Sequence, residues 1–107
     1  MALLLFAAPA AAQASLPYWP MMKLMRRLDG ARIHVGTQAV RVDKDTTLCA
    51  GRGPSIKRDG VRRWRRFICT YTTFTKQGVD RDLDFQVRVL GSRHFAVSDA
   101  HWVGGSR

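Results

Sequence analysis

The sequence predicts an α+β fold, with one N-terminal amphipathic helix packed on an antiparallel meander sheet of four to five strands. Three observations predict it. Apolar residues recur with a period near 3.6 in one short stretch only, after Pro20. Beyond Gly30 the period falls to two and stays there. Short turn signals, and not helices, separate the strand-like runs, so parallel βαβ units are excluded.

The helix is expected first. Met21, Leu24, Met25 and Leu28 fall at i, i+3, i+4 and i+7 and make one apolar stripe. Pro20 suits its first turn, Arg26 and Arg27 suit its negative C-terminal end, and Gly30 suits its cap. Ala31–Val35 and Gln38–Val42 then alternate around a tight turn at Gly36-Thr37. Thr46–Ala50 is a short β-prone piece, and Gly51, Gly53, Pro54, Asp59 and Gly60 predict a loop after it. From Val61 or Arg62 to Thr75 aromatic and β-branched residues predict a long strand. A turn is expected at Lys76-Gln77-Gly78. Asp82–Leu90 shows the cleanest alternation, with Leu83, Phe85, Val87 and Val89 on one face and Asp82, Asp84, Gln86 and Arg88 on the other. A turn at Gly91-Ser92 leads to a last strand from Arg93 to about Val103, and residues 104–107 read as a disordered tail.

Residues 2–8 read ALLLFAA, and Ala12-Gln13-Ala14 follows, the pattern of an export signal cleaved after Ala14. No Lys or Arg precedes the apolar run, which is too short to span a bilayer. Residues 15–103 are then a single domain in the periplasm, the cell envelope or outside the cell. In such an oxidising place two cysteines, Cys49 and Cys69, predict a disulfide that closes about 21 residues and is worth roughly 3 kcal/mol on the chain-entropy model. With no C-x-x-C motif, thioredoxin-type redox chemistry is unsupported.

The net charge is +10, from fourteen Arg and four Lys against eight acids, all of them Asp. Such a balance favours acidic partners and solubility and does not bear on fold. Seven of the cations fall between Arg52 and Arg66, with Trp64 inside the run. Basic residues interleaved with aromatics suit a polyanion or an acidic protein, with cations on the anionic groups and Trp64 open for stacking. The candidate binding residues are therefore Lys57, Arg58, Arg62, Arg63, Trp64, Arg65 and Arg66. Regular alternation puts Arg63, Arg65, Phe67, Cys69 and Tyr71 on one face, and Trp64, Arg66, Ile68 and Thr70 on the other. Asp80, Asp82 and Asp84 alternate on the next strand and are expected to pair with Arg63, Arg65 or Arg66, which would make this a solvated basic hairpin.

Catalytic and metal motifs are weak. The D-x-D-x-D at Asp80–Asp84 resembles the opening of a calcium loop, but Phe85 and Gly91 stand where that loop needs glycine and glutamate. His34, His94 and His101 make no metal spacing, the serines sit in no nucleophile elbow, and Gly51-Arg52-Gly53-Pro54 is no phosphate loop. No cofactor, metal or catalytic residue is assigned.

The segments TLCAGRG, RRWRRFICTYTTFT, GVDRDLDFQVRVL and FAVSDAHW together resemble small exported proteins of GC-rich soil bacteria that have no assigned activity. The resemblance covers roughly residues 46–102 and implies a secreted domain without catalytic residues to carry over. The layout is also similar, at fold level alone, to cystatin-like helix-on-sheet modules, which licenses no inhibitory activity. The expectation is a secreted non-enzymatic binding module that contacts acidic partners through its basic hairpin. The alternative is a small secreted hydrolase acting on a phosphodiester or other anionic substrate.

Overall fold

A computed structural model of the chain describes residues 17–74 and 80–103. The export signal over 1–14, the Lys76-Gln77-Gly78 turn and the tail over 104–107 lie outside the described residues. Most of the rest is antiparallel sheet, with one helix.

The elements are β1 (Trp19–Pro20), α1 (Met21–Leu28), β2 (Arg32–Val35), β3 (Gln38–Arg41), a 3₁₀ turn (Lys44–Thr46), β4 (Thr47–Arg58), β5 (Val61–Phe74), β6 (Asp80–Val89) and β7 (Phe95–Val103). Strand β5 is the centre of a five-stranded sheet. Along one edge it pairs with β4; along the other it pairs with β6 over Arg66–Phe74 and with β1 at Trp64 and Arg63. Strand β7 pairs with the far side of β6, while β2 and β3 make a separate hairpin. Through Trp19 the sheet also reaches the β6–β7 turn, where the indole Nε1–H donates to the Gly91 carbonyl at 3.1 Å.

One face of this sheet is covered. Leu24 and Leu28 of α1, Ile33 of β2 and Val42 beyond β3 join Trp19, Phe67, Cys69, Leu83, Phe85, Val87 and Val89 in one buried cluster. The period-two run of β6 thus points its four apolar residues into the core. Met22, Arg26 and Arg27 of the helix stay exposed. Each buried Leu or Phe contributes roughly 1.5–3 kcal/mol, so the helix and small hairpin are held mainly by apolar contact. Among the described residues no helix is long and apolar enough to cross a membrane.

Two expectations need correction. The loop expected over Gly51–Gly60 is mostly strand, since β4 runs to Arg58 and only Asp59-Gly60 turn, both with positive φ (54° and 77°). Asp-Gly with positive φ at both positions makes a type I′ turn, whose twist matches that of the strands it joins. The other turn signals have different work. Gly53 and Pro54 lie where the β4–β5 register shifts between Arg52 and Ser55. On an edge strand a bulge tolerates a proline, which has no N–H to pair.

The second correction concerns Trp64, expected on the face opposite Phe67. It lies on the core side, opposite the buried Trp19, with its ring against Phe67 at 5.9 Å between centroids. Two residues, Arg65 and Arg66, separate these two inward rings, where regular alternation allows one. Gly51 makes room for the indole, because a Cβ there would lie 2.0 Å from its ring carbon Cε2.

The expected disulfide is present. Cys49 and Cys69 are direct cross-strand partners on β4 and β5, with Cα atoms 4.1 Å apart. It therefore rivets a hairpin and does not clamp a loop.

Replacing Gly51 by Ala forces the Trp64 ring off its seat and is expected to cost about 1–3 kcal/mol, read as a lower urea midpoint with a red-shifted tryptophan emission. An unchanged midpoint would show that the indole has another seat. Removing the disulfide with Cys49→Ser and Cys69→Ser together is expected to cost about 3 kcal/mol, a fall in Tm on the order of 15 °C. A Tm that stays within about 3 °C of wild type would mean that the β-ladder alone holds the hairpin.

Candidate functional site

The basic run that the sequence singles out becomes the outer half of the β4–β5 hairpin. At its tip Arg58 faces Val61 and Lys57 faces Arg62, all exposed. Like charges directly opposite each other destabilise a hairpin slightly, by about 0.2–1 kcal/mol for an exposed pair. Arg62 is partly engaged, its Nη1 donating to the Ser55 hydroxyl at 2.7 Å. Arg63, opposite Ile56 on one side and Pro20 on the other, is half-buried. The Arg65 guanidinium lies over the Tyr18 ring, 4.3 Å from its centroid. Trp64 is held in the core layer as described, so its expected role as an open stacking platform is withdrawn. Of the seven candidates, Lys57, Arg58, Arg62 and Arg66 are exposed.

The expected pairing of aspartates with these arginines is not what the register produces. Asp84 stands opposite Thr70 and Asp82 opposite Thr72. The threonine hydroxyls donate to the carboxylates at 2.7 Å and 2.9 Å. A short hydroxyl beside a carboxylate satisfies it without a cation. The side chain of Asp80 lies outside the described residues.

Opposite Arg66 stands another arginine. Residues Arg52, Arg66 and Arg88 are direct partners across β4, β5 and β6, and all three are exposed on the uncovered face. Side chains in such a row are about 4.5–5.5 Å apart at Cβ. The row ends at Ala96 on β7. The next row toward the far end of the sheet is uncharged: Ala50, Ile68, Gln86 and Ser98. Leu48, Thr70, Asp84 and His101 form the row after that, followed by Thr72 and Asp82. The uncovered face therefore has a cationic end and an anionic end, with an apolar margin where Leu48 is 82% and Ile68 43% exposed.

A shallow cup opens beside the arginine row, lined by Arg66, Gln86, Val87, Arg88, Ala96 and Ser98. The small Ala96 next to Arg88 leaves it open. At its rim Gln86 Nε2 donates to the Asp99 carboxylate at 3.1 Å, and His101 Nδ1–H donates to the Asp99 carbonyl at 2.7 Å. Asp99 has a positive φ of 54°, at the point where β7 slips by one residue against β6.

The three histidines are not brought together. His34 lines a groove between β2 and β7 with Arg32, Ser98 and Asp99. His94 sits in the β6–β7 turn, where its carbonyl accepts from Leu90 and Gly91 N–H, and His101 stands on the open face opposite Asp84. Among the described residues no group of three His, Cys, Asp or Glu is placed to hold a metal ion.

Sequence reasoning missed Arg88, and with it the row. A signal exists for its Arg52–Arg66 pair alone, and none for Arg88. A two-residue turn at Asp59-Gly60 without a bulge would bring Ala50, not Cys49, opposite Cys69. The disulfide therefore demands one extra residue in β4, and with that shift Arg52 falls opposite Arg66. No family model, curated protein or solved structure matches the chain significantly, so the reading of this surface rests on its chemistry.

Proposed function

We propose that the chain is a small exported, non-enzymatic binding module that engages an acidic partner through the β4–β5 hairpin and the arginine row behind it. One observation carries the reading: Arg52, Arg66 and Arg88 stand side by side across three strands on the face that neither helix nor hairpin covers. Three like charges in one row repel each other, and Asp82 and Asp84 of β6 accept from threonine hydroxyls. An anionic partner removes that repulsion. The exposed Lys57, Arg58 and Arg62 at the tip extend the same positive field along the hairpin, and the net charge of +10 adds long-range attraction.

Export is part of this reading. The Cys49–Cys69 disulfide persists where thiols are oxidised, which agrees with a chain that leaves the cytosol behind its Ala12-Gln13-Ala14 signal. The likeness to small exported proteins of soil bacteria belongs to the same proposal. A phosphodiester hydrolase, the other function class, would have to work from the groove of His34, Arg32, Ser98 and Asp99. That groove offers an imidazole, a carboxylate and a cation, the minimum for acid–base cleavage of an anionic ester.

Retention on immobilised heparin tests the binding reading. Elution is expected to need several hundred millimolar salt, and affinity to fall steeply with salt because each neutralised anion releases a counterion. Arg52→Ala, Arg66→Ala and Arg88→Ala combined, or Lys57→Ala, Arg58→Ala and Arg62→Ala combined, should each weaken binding by roughly tenfold or more at fixed salt. Elution of both variants with the wild type would sink the proposal. Cleavage of bis(p-nitrophenyl) phosphate that is lost in His34→Ala would favour the hydrolase instead.

A further inference from the structure

Resting on the acidic-partner reading and narrowing it, we propose that the cup beside the arginine row is a site for a tetrahedral oxoanion, a phosphate or sulfate group, and not for a carboxylate. The cup is lined by two arginines from adjacent strands, Arg66 and Arg88, and by Gln86 and Ser98 of the neighbouring row. A carboxylate has two coplanar oxygens, and one guanidinium fork satisfies both. A second guanidinium, on the cross-strand partner, then reaches only the remaining lone pairs of the same two oxygens. A phosphate or sulfate group carries three or more oxygens in different directions. It can accept from Arg66 and Arg88 at once and still offer an oxygen to Ser98.

The surroundings fit this chemistry. Ala96, the partner of Arg88 on β7, keeps the floor shallow, and the flanking row of Ala50, Ile68, Gln86 and Ser98 brings no charge of its own. Asp99, beside Ser98, is tied to the cup's lining, accepting from Gln86 Nε2, which also fixes the amide. Asp99 thus opposes any anion in the cup and tempers its affinity. Arg52, the next member of the row, lies one strand spacing beyond Arg66 and reaches a second anionic group of the same ligand. The site is accordingly suited to a chain of phosphate or sulfate groups over a single free ion.

Amide chemical shifts of the ¹⁵N-labelled protein, followed during titration with sodium tripolyphosphate, orthophosphate and poly-L-glutamate at matched salt, test this directly. Tripolyphosphate is expected to move the amides of residues 86–88 and 96–98 and to bind roughly tenfold tighter than orthophosphate. Poly-L-glutamate should instead move the hairpin tip. Arg88→Gln should lower tripolyphosphate affinity about tenfold and Asp99→Asn should raise it severalfold, while Arg26→Gln with Arg27→Gln on the helix changes it less than about twofold. The substituted positions Arg88, Asp99, Arg26 and Arg27 are all exposed, and the unchanged dispersion of the remaining amides verifies the fold of each variant.

Shifts confined to residues 57–62, an Arg88→Gln variant that binds as wild type, or equal affinity for poly-L-glutamate at the cup would each overturn the site. If heparin retention persists alongside such a result, the acidic-partner reading stands without the cup. If tripolyphosphate binds at the cup but heparin is not retained, the cup stands as a small-anion site and the wider reading falls. Preference for orthophosphate over tripolyphosphate would overturn the extended form of the ligand.

Discussion

The structure depends on the pairing of β4 with β5. Strand β5 pairs with β4 along one edge and with β1 and β6 along the other, and its register against β4 is pinned at two points. The Asp59-Gly60 turn fixes one end and the Cys49–Cys69 bond fixes the other. The two points disagree by one residue, and the bulge around Gly53-Pro54 absorbs the difference. A side-chain period of two means that a one-residue slip would swap which residues face the core. The disulfide therefore chooses the buried set as well as adding stability. With Cys69 buried, Phe67 and the rest of the β5 inner face follow, and α1 and the β2–β3 hairpin find their apolar surface.

The same register decides the electrostatics of the opposite face. By lining up Arg52, Arg66 and Arg88 it concentrates charge at one end of the sheet. By setting Thr70 and Thr72 opposite Asp84 and Asp82 it holds the negative charge two rows away, with hydroxyls as partners. Two rows are roughly 13–14 Å along the strands, beyond the Debye length at physiological salt, so the two ends act almost independently on an approaching ion. A protein whose aspartates paired with its arginines would show a neutral, self-satisfied surface there. This register sets no aspartate opposite the arginine row, at the cost of modest repulsion.

Much of the architecture was legible in the sequence. The turn from period 3.6 to period two after Gly30 announced one helix followed by antiparallel strands. The alternation of Leu83, Phe85, Val87 and Val89 named half of the sheet's core, and of the helical stripe Met21, Leu24, Met25 and Leu28 the two leucines are buried and the two methionines half-buried. These are local regularities, readable because burial repeats with the geometry of the element. The stretch from Gly51 to Pro54 misled for an equally physical reason. Glycine and proline break most strands, but here Gly51 is the seat of an indole and Pro54 sits on a bulged edge strand. Trp64 was assigned the wrong face because regular alternation was carried through a point where it fails.

The sequence by itself determined the class of the fold, the disulfide partners and the excess of positive charge, since each follows from composition or from short-range pattern. Tertiary structure alone decided which charges meet. Arg52, Arg66 and Arg88 are separated by up to 36 positions and share a row only because three strands adopt one register. Cross-strand neighbours depend on turn geometry, bulges and the demand to bury Trp19 and Phe67 together, and no periodicity along a single strand encodes them. The arginine row is thus a product of register, and the cysteines and the bulge that set it are as much part of it as the arginines.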